Sequence, residues 1–468
     1  MDVLHVSAEC FPIAKIGGLA DVVGALPKFQ NEVGVKSQVI MPFYDLSFTQ
    51  KNEFETIHSF TIKLGSSSCD VQIKTLKSLD LGYELFLVDI PEHLFKPYVY
   101  SENDADRFLA FQIAALDWVQ TWKKKPLTIH CHDHHTGLIP FMLSHSMKYA
   151  EMKEIPTVFT IHNAQYQGWM DHRKVTLIPA FPAEHFGLLE WDESINPLAT
   201  AIKCAWRVTT VSETYMEELK LRANGLESLI KSEEQKCSGV LNGIDAEVWN
   251  PATDNQLVKN YSKTAFQAGK KANKKWLCEK FELDQRLPLV VFIGRLVHEK
   301  GADLFKEVIE SALQRSKVSM LFLGSGNKEV EAQISSLNRQ YVGAYSSYIG
   351  YDESLAHKMY AGADFLLMPS RVEPCGLNQM YSMRYGTIPI VSCVGGLKDT
   401  IVDVKKKGGY GFCIEEITVE NISEAIHRAS LFFKKKEKFK KTRHTLMRID
   451  HSWNASAKKY IDLYNTLK

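Results

Sequence analysis

Short, continuous apolar runs alternate with segments of helical periodicity along this chain, and this alternation most constrains its fold. The runs have the length of buried strands and form two series, separated by a stretch rich in turn residues. The first series is VLHVSAE, SQVIMPF, LFLVDIP, LTIHCHD, TVFTIHN and RVTTVSE, and the second is LPLVVFIGRL, VSMLFLGSG, SSYIGY, DFLLMPS and IPIVSCVGG. Strands that are buried on both faces and joined by helices are typical of parallel sheets. The sequence therefore predicts an α/β protein with two doubly wound, Rossmann-like domains.

The boundary between the two domains is expected near residues 239–254, where the turn-forming residues Asn-Gly, Asp and Asn-Pro occur close together. We assign residues 1–245 to an N-terminal domain and residues 246–450 to a C-terminal domain. Apolar residues recur at three-to-four spacing in residues 451–468, which predicts a terminal helix that packs back on the N-terminal domain. A ligand is expected outside the carboxyl ends of the strands, in a deep cleft between the two domains.

The composition is that of a globular protein, with 45% hydrophobic and 24% charged residues in 468. A net charge of +1 predicts no general attraction to nucleic acid or membranes, and no apolar run approaches the ~20 residues that span a bilayer. Nine cysteines are scattered singly, without a Cys-x-x-Cys pair, which argues against a disulfide framework or a zinc ribbon. With no secretory-signal pattern at the N-terminus, the sequence predicts a cytoplasmic protein.

The segment KIGGLADVVGALPK, residues 15–28, follows the first apolar run and opens a helical pattern. Glycines allow a ligand to approach the backbone, a helix N-terminus offers unpaired N–H groups to an anion, and Lys15 adds a positive charge. The alternative is that Gly17 and Gly18 only shape a strand-to-helix turn. A second Gly-Gly-Leu opening, at residues 395–397, has no lysine before it.

Two cations lie in IGRLVHEKGADLF, residues 293–305, between a strand and the helix that follows it. Arg295 can bind a phosphate through two parallel hydrogen bonds, and Lys300 can neutralise it as a compact charge. This pair is a candidate diphosphate clamp, and the alternative is two exposed loop cations.

A third motif surrounds Glu373 in MPSRVEPCGLNQM, residues 368–380. Its carboxylate can accept hydrogen bonds from sugar hydroxyls, while the backbone N–H groups of Cys375, Gly376 and Leu377 can donate to them. The alternative is that Glu373 is a negative charge at a helix N-terminus.

Histidines mark two further strand ends. His162 follows a strand in TIHNAQYQGW, although a single histidine there is more often structural. The segment HCHDHHTG, residues 130–137, resembles a metal site in composition. Because alternate side chains of a strand point apart, we predict a polar rim or a structural network here and no metal site.

Taken together, these motifs resemble the bacterial glycogen synthase and plant starch synthase family, glycosyltransferase family 5, whose members are retaining glucosyltransferases with the GT-B fold. The resemblance covers nearly the whole chain, through KIGGLADVVGALPK, TIHNAQYQG, TTVSETYMEEL, LNGIDAEVWNPATD, GRLVHEKGADL, the segment from GYDESLAHK to GTIPIV, and GGLKDTIVD. It implies transfer of glucose, usually from ADP-glucose, to the nonreducing end of an α-1,4-glucan such as glycogen. It implies neither a metal nor another cofactor, and it leaves the oligomeric state open.

The resemblance also implies roles for individual residues. Arg295 and Lys300 would contact the donor diphosphate, Glu373 would bind the donor glucose, and His162 would lie against that glucose, near its 6-hydroxyl. The other donor-binding positions are Lys15, Gly17, Gly18, Asp21, Tyr351, Cys375, Gly376, Leu377, Gly396 and Leu397. The acceptor and cleft positions are Glu9, Asp133, His135 and Asn242.

The chain departs from the family pattern at two positions. His134 stands where the family usually has tryptophan, which puts the acceptor contacts in doubt, and Ile16 stands where threonine is frequent. Many related GT-B enzymes carry a second glutamate where this chain has Tyr381, but glycogen synthases of this type lack it. No carboxylate nucleophile emerges on the far side of the donor, so we expect retention by a same-face route.

Three other functions remain possible at this point. One is a GT-B transferase that uses UDP-glucose or another acceptor, and a second is a glucan- or nucleotide-binding protein that has lost turnover. The third is a phosphorylase with pyridoxal phosphate, although the sequence offers no reason to place a Schiff-base lysine. Glucose transfer from ADP-glucose and from UDP-glucose onto glycogen separates the first from the main prediction.

Overall fold

A computed structural model describes residues 2–467 of the chain. The chain divides into two compact units. Unit 1 extends to Gly243 and resumes at Trp453, and unit 2 is Ile244–Ser452. Unit 1 therefore includes the C-terminal helix as well as the first series of strands.

Unit 1 contains a nine-stranded sheet with the strand order β11-β10-β7-β6-β1-β2-β5-β4-β3. Its strands are β1 (Asp2–Val6), β2 (Lys36–Pro42), β3 (Phe54–Leu64), β4 (Ser67–Leu76), β5 (Glu84–Asp89), β6 (Thr128–His132), β7 (Thr157–Ile161), β10 (Arg207–Thr210) and β11 (Cys237–Gly239). A separate two-stranded ribbon consists of β8 (Glu190–Trp191) and β9 (Ser194–Ile195). All six apolar runs of the first series lie on strands of the large sheet.

The expectation of a purely parallel sheet is wrong at one edge of unit 1. Strands β3 and β4 form an antiparallel hairpin, and β4 pairs antiparallel with β5. Along β4 the side chains of Cys69, Val71 and Ile73 are buried, while Asp70 and Gln72 between them are exposed. This hairpin therefore has one solvated face, as antiparallel strands allow, and it escapes a search for continuous apolar runs.

The helices of unit 1 are α1 (Gly18–Glu32), α2 (Ser47–Lys51), α3 (Ala105–Thr121), α4 (Ile139–His145), α5 (Phe186–Leu189), α6 (Pro197–Cys204), α7 (Glu213–Leu219), α8 (Glu227–Ser232) and α17 (Trp453–Asn465). Helix α17 packs on α1, and its buried residues Trp453, Ala457, Tyr460 and Tyr464 share a core cluster with α1 and β1. The three-to-four spacing of these residues explains why one face of α17 is buried.

Unit 2 contains a six-stranded parallel sheet with the order β14-β13-β12-β15-β16-β17. Its strands are β12 (Leu289–Ile293), β13 (Ser319–Gly324), β14 (Tyr345–Ile349), β15 (Phe365–Met368), β16 (Ile388–Ser392) and β17 (Phe412–Ile414). Its helices are α9 (Gln267–Lys280), α10 (Phe305–Arg315), α11 (Lys328–Gln340), α12 (Glu353–Gly362), α13 (Asn378–Arg384), α14 (Gly395–Thr400), α15 (Val419–Lys434) and α16 (Lys436–Leu446). Within residues 2–467, no helix has both the length and the apolar composition that crossing a bilayer requires.

Candidate active site

The first Gly-Gly-Leu opening lies between β1 and α1 in unit 1. Gly17 has an extended backbone with φ of −139°, and α1 begins at Gly18. A Cβ atom added at either glycine would meet nothing within 4 Å. Neither backbone conformation nor packing within the described chain therefore requires glycine at these positions. The open space beside both Cα atoms is what close approach of a ligand needs.

The buried carboxylate of Glu9 binds the backbone of this opening. Its Oε2 accepts hydrogen bonds from the backbone N–H groups of Ile16 (2.6 Å) and Gly17 (3.0 Å), and its Oε1 accepts one from the Tyr100 hydroxyl (2.5 Å). Lys15 Nζ lies 2.7 Å from Asp21 Oδ1 at the surface. Glu9 thus has a structural task, and Tyr100 is a supporting residue that the sequence motifs did not reveal.

Asp133 and His162 meet where β6 and β7 end. Asp133 Oδ1 accepts a hydrogen bond from the backbone N–H of His162 (2.7 Å), and Asp133 adopts a left-handed backbone with φ of +56°. Burial raises the pKa of Asp133 to about 7, although hydrogen bonds from two backbone N–H groups favour its charged form. Burial also lowers the pKa of His162 to about 3. His162 is therefore a neutral imidazole near pH 7.

The prediction that side chains of the segment 130–137 point apart is wrong for His130 and His132. Residues two apart on a strand face the same side, and these two rings stack with centroids 4.2 Å apart. His5 on β1 is the register partner of His130, so the three rings form one buried group. One nitrogen from each lies within 4.8 Å of the others.

In unit 1, His135 and Asn242 are buried and His134 is half-buried. His135 stacks on Tyr100 with ring centroids 4.7 Å apart. The ring of His134 packs against Gly168, where an added Cβ would lie 2.6 Å from His134 Cδ2. Asn242 is buried, and its Oδ1 has no hydrogen-bond partner in the described part of the chain. His134 and His135 therefore support the surrounding loops.

In unit 2, Lys300 and Glu373 form a close ion pair although 73 residues separate them. Lys300 Nζ lies 2.6 Å from Glu373 Oε2, which also accepts a hydrogen bond from the Ser370 hydroxyl (2.9 Å). Arg295 is largely exposed, and its guanidinium lies 3.8 Å from Glu299. The loops after β12 and β15 thus bring a lysine, a carboxylate and a hydroxyl together.

The second Gly-Gly-Leu opening packs tightly against the Glu373–Cys375 loop. An added Cβ would lie 2.1 Å from the Glu373 carbonyl oxygen at Gly395, and 2.1 Å from the Cys375 carbonyl oxygen at Gly396. The backbone N–H of Gly396 donates to the carbonyl oxygens of Glu373 and Pro374, each at 3.2 Å. These glycines are therefore required by packing, and they set the position of the Glu373 loop.

One further side chain of unit 2 supports this loop. The Gln379 side-chain amide donates to the carbonyl oxygens of Cys375 (3.1 Å) and Gly376 (2.9 Å), so Gln379 is a second supporting residue that the motifs did not reveal. Tyr351 is 81% exposed. The ring of Tyr381, at the position of the second glutamate in related enzymes, stacks on Trp249 with centroids 3.8 Å apart.

Comparison with known proteins decides the family. The model of the starch synthase catalytic domain matches residues 2–232, and that of glycosyl transferases group 1 matches residues 274–444. A curated glycogen synthase of Flavobacterium johnsoniae is 49% identical over 470 aligned residues, which cover 100% of this chain and 99% of that protein. The chain belongs to the glycogen synthase family. A second glycogen synthase, from Anoxybacillus flavithermus, is 36% identical over 100% of this chain and 98% of its own length.

The solved structures agree with membership of the glycogen synthase family. The catalytic domain of starch synthase IV from Arabidopsis thaliana, bound to ADP and acarbose, matches with a TM-score of 0.89 and 30% identity over 99% of both chains. Sucrose-phosphate synthase of Thermosynechococcus elongatus matches with a TM-score of 0.63 and 16% identity over 100% of this chain and 98% of its own, which shows a shared fold only. The protein is therefore a glycosyltransferase of the GT-B fold, with two Rossmann-like α/β units.

Proposed function

We propose that this protein transfers glucose from ADP-glucose to the nonreducing end of an α-1,4-glucan, with retention of the anomeric configuration. The observation that carries the proposal is the 49% identity with a curated glycogen synthase over the whole chain. ADP in the structure of the starch synthase relative favours an adenine nucleotide as the donor. The nine cysteines are free, which is consistent with our proposal that the enzyme acts in a reducing cytoplasm.

Unit 2 is proposed to bind the donor. Arg295 and Lys300 would neutralise the diphosphate, and Glu373 would accept hydrogen bonds from the glucose hydroxyls. The 2.6 Å ion pair supports this role because Lys300 orients the carboxylate that the sugar needs. The other donor-binding positions proposed in this unit are Tyr351, Cys375, Gly376, Leu377, Gly396 and Leu397.

Unit 1 is proposed to contribute both donor and acceptor contacts. Open space at Gly17 and Gly18 supports close approach of the diphosphate to the start of α1, with Lys15 and Asp21 beside it. His162 would contact the donor glucose. The positions proposed to shape the acceptor side are Glu9, Asp133, His135 and Asn242, of which Glu9 acts through the loop that it holds.

The transfer step is proposed to occur on one face of the sugar. The bond between the anomeric carbon and the β-phosphate oxygen breaks, and ADP leaves with the bonding electrons. The acceptor 4-hydroxyl then forms the new bond from the same side, and a phosphate oxygen of the departing ADP takes its proton. Arg295 and Lys300 would stabilise the negative charge that grows on the diphosphate.

The test is incorporation of labelled glucose into glycogen from ADP-glucose and, in parallel, from UDP-glucose. We expect faster transfer from ADP-glucose, and proton NMR of the product should show new α-1,4 linkages. Faster transfer from UDP-glucose would replace the donor in the proposal. Absence of transfer from both, with a folded protein, would favour a binding protein that has lost turnover.

A further inference from the structure

Three histidines form a hydrogen-bonded line through the core of unit 1, and we call His5, His132 and His162 the histidine relay. His162 Nε2 lies 3.0 Å from His132 Nδ1, and His132 Nε2 lies 3.0 Å from His5 Nδ1. The line ends on helix α1, where His5 Nε2 lies 2.9 Å from Gln30 Oε1. All of these side chains are buried.

The three imidazoles of the histidine relay are neutral near pH 7. Burial lowers the pKa of His5 to about 4 and that of His162 to about 3, and it holds the pKa of His132 well below the usual value. A neutral imidazole carries one N–H and one bare nitrogen. Each link in the relay therefore needs a donor on one ring and an acceptor on the next, so all the links run in the same direction.

The carboxamide of Gln30 sets that direction. Its Oε1 faces both His5 and the hydroxyl of Ser37 (2.6 Å), while its Nε2 donates to the Tyr464 hydroxyl on α17 (3.2 Å). A carbonyl oxygen only accepts, so His5 Nε2 carries a proton and His5 Nδ1 is bare. The proton of the next link then belongs to His132 Nε2, and that of the last link to His162 Nε2.

We propose that Gln30 is a positioning residue that acts through His5 and His132 to hold His162 as the Nε2–H tautomer, so that its bare Nδ1 accepts a hydrogen bond from a sugar hydroxyl of the substrate. Within residues 2–467, Nδ1 of His162 has no hydrogen-bond partner, since its ring bonds only to His132. The identity of the hydroxyl donor rests on the proposed function, whereas the tautomer does not.

A metal ion is a poorer explanation of this arrangement, although two relay histidines also belong to a possible metal-binding group. His5, His130 and His132 place one nitrogen each within 4.8 Å of the others, but their nitrogens already take part in hydrogen bonds. The group is fully buried and holds no carboxylate that would offset the charge of a dication. A hydrogen-bonded relay of neutral rings satisfies the same atoms without that cost.

The first test reads the tautomers directly in the wild-type protein without substrate. In protein labelled with ¹⁵N-histidine, we expect NMR signals of Nε2–H groups for His5, His132 and His162, assigned by their loss in His5→Gln, His132→Gln and His162→Gln variants. A proton on Nδ1 of His162 overturns the proposal. So does zinc that binds one-to-one and removes the N–H signals of His5 and His132. Because this NMR test needs no substrate, it decides the tautomer of His162 even if the protein transfers no glucose.

The second test separates positioning from simple packing. Gln30→Met removes the acceptor for His5 at similar size, and we expect kcat for glucose transfer to fall about tenfold, with mixed tautomers at His162. Gln30→Glu keeps an acceptor, so it should restore the Nε2–H signal and most of the rate. The matched control is Tyr464→Phe, which removes the hydrogen bond that Gln30 Nε2 donates to the Tyr464 hydroxyl and should change the rate less than about twofold. Equal losses in Gln30→Glu and Gln30→Met, with an unchanged tautomer, overturn the proposal.

Discussion

The first opening, Gly17–Leu19, and the second, Gly395–Leu397, share three residues and each begin a helix, but their surroundings differ. At the first opening an added Cβ would meet nothing within 4 Å at either glycine. At the second, Gly395 has φ of +42°, and an added Cβ at either glycine would lie 2.1 Å from a carbonyl oxygen of the Glu373–Cys375 loop. One short motif therefore serves two purposes: the first leaves space for a ligand, and the second lets two loops pack.

Lys15 and Lys300, the lysines that we assign to the two halves of the site, also differ in their surroundings. Lys15 belongs to the first opening and pairs with Asp21 on the following helix, with side chains 44% and 26% exposed. The second opening has no lysine of its own. Lys300 comes from a distant loop and pairs with Glu373, with side chains 22% and 9% exposed. Water screens the first pair more than the second, so the charge of Lys300 would act more strongly on an anion bound beside it.

Replacing each lysine in turn gives the largest expected effect. Lys300→Ala should lower the rate of glucose transfer by about 10²–10³-fold, because this removes one charge that we propose stabilises the leaving diphosphate. Lys15→Ala should lower it by about tenfold or less, because its charge is more exposed. The measurement is kcat/KM with ADP-glucose, after circular dichroism shows that both variants are folded. Equal losses would mean that exposure does not separate the two lysines.

Adding a methyl group to each opening gives the next largest effect. Gly396→Ala should lower the free energy of unfolding by about 2–3 kcal/mol, because the new Cβ meets backbone atoms of Cys375 that cannot move alone. Gly17→Ala is the matched control and should change it by less than about 0.5 kcal/mol. Urea unfolding measures both. A stable Gly396→Ala variant would show that the Glu373–Cys375 loop can shift, and the contrast between the openings would then fail.

Much of the fold could be predicted from the sequence because buried parallel strands have continuous apolar sequences. The runs LTIHCHD and LPLVVFIGRL lie on β6 (Thr128–His132) and β12 (Leu289–Ile293). The β3–β4 hairpin was missed because its buried side chains alternate with exposed ones, so no continuous run appears. Alternation of Cys69, Val71 and Ile73 was the available signal.

The site was less accessible to sequence reasoning, since its contacts join distant segments. Lys300 and Glu373 were singled out separately, but their 2.6 Å pairing depends on how the loops after β12 and β15 meet. The buried histidines of β6 do leave a signal in the sequence: His130 and His132 are two residues apart on a strand, so they share a face. The roles of Tyr100 and Gln379 left no signal, because a hydrogen bond to a loop has no motif.

Removing the support behind the first opening has a smaller expected effect. Glu9→Gln should lower the free energy of unfolding by about 1–2 kcal/mol, because one amide oxygen cannot serve the N–H groups of Ile16 and Gly17 and the Tyr100 hydroxyl together. Tyr100→Phe removes one of these bonds and should cost about 1 kcal/mol. Urea unfolding measures both variants. If Glu9→Gln were as stable as the wild type, the first opening would hold its shape without the carboxylate.

The smallest effect concerns Asp133, whose pKa responds to the charge of Glu9 at the first opening. Burial raises the pKa of Asp133 to about 7, and the negative charge of Glu9 adds to the rise. Between about pH 4 and pH 7 the folded protein therefore holds a proton that the unfolded chain has lost, so this group makes unfolding easier as pH rises. Glu9→Gln should lower the pKa of Asp133 and weaken that pH dependence by less than about 1 kcal/mol. Carbon-13 NMR of the Asp133 carboxyl, assigned with Asp133→Asn, measures this pKa. An unchanged pKa in Glu9→Gln would show that the charge of Glu9 does not act on Asp133.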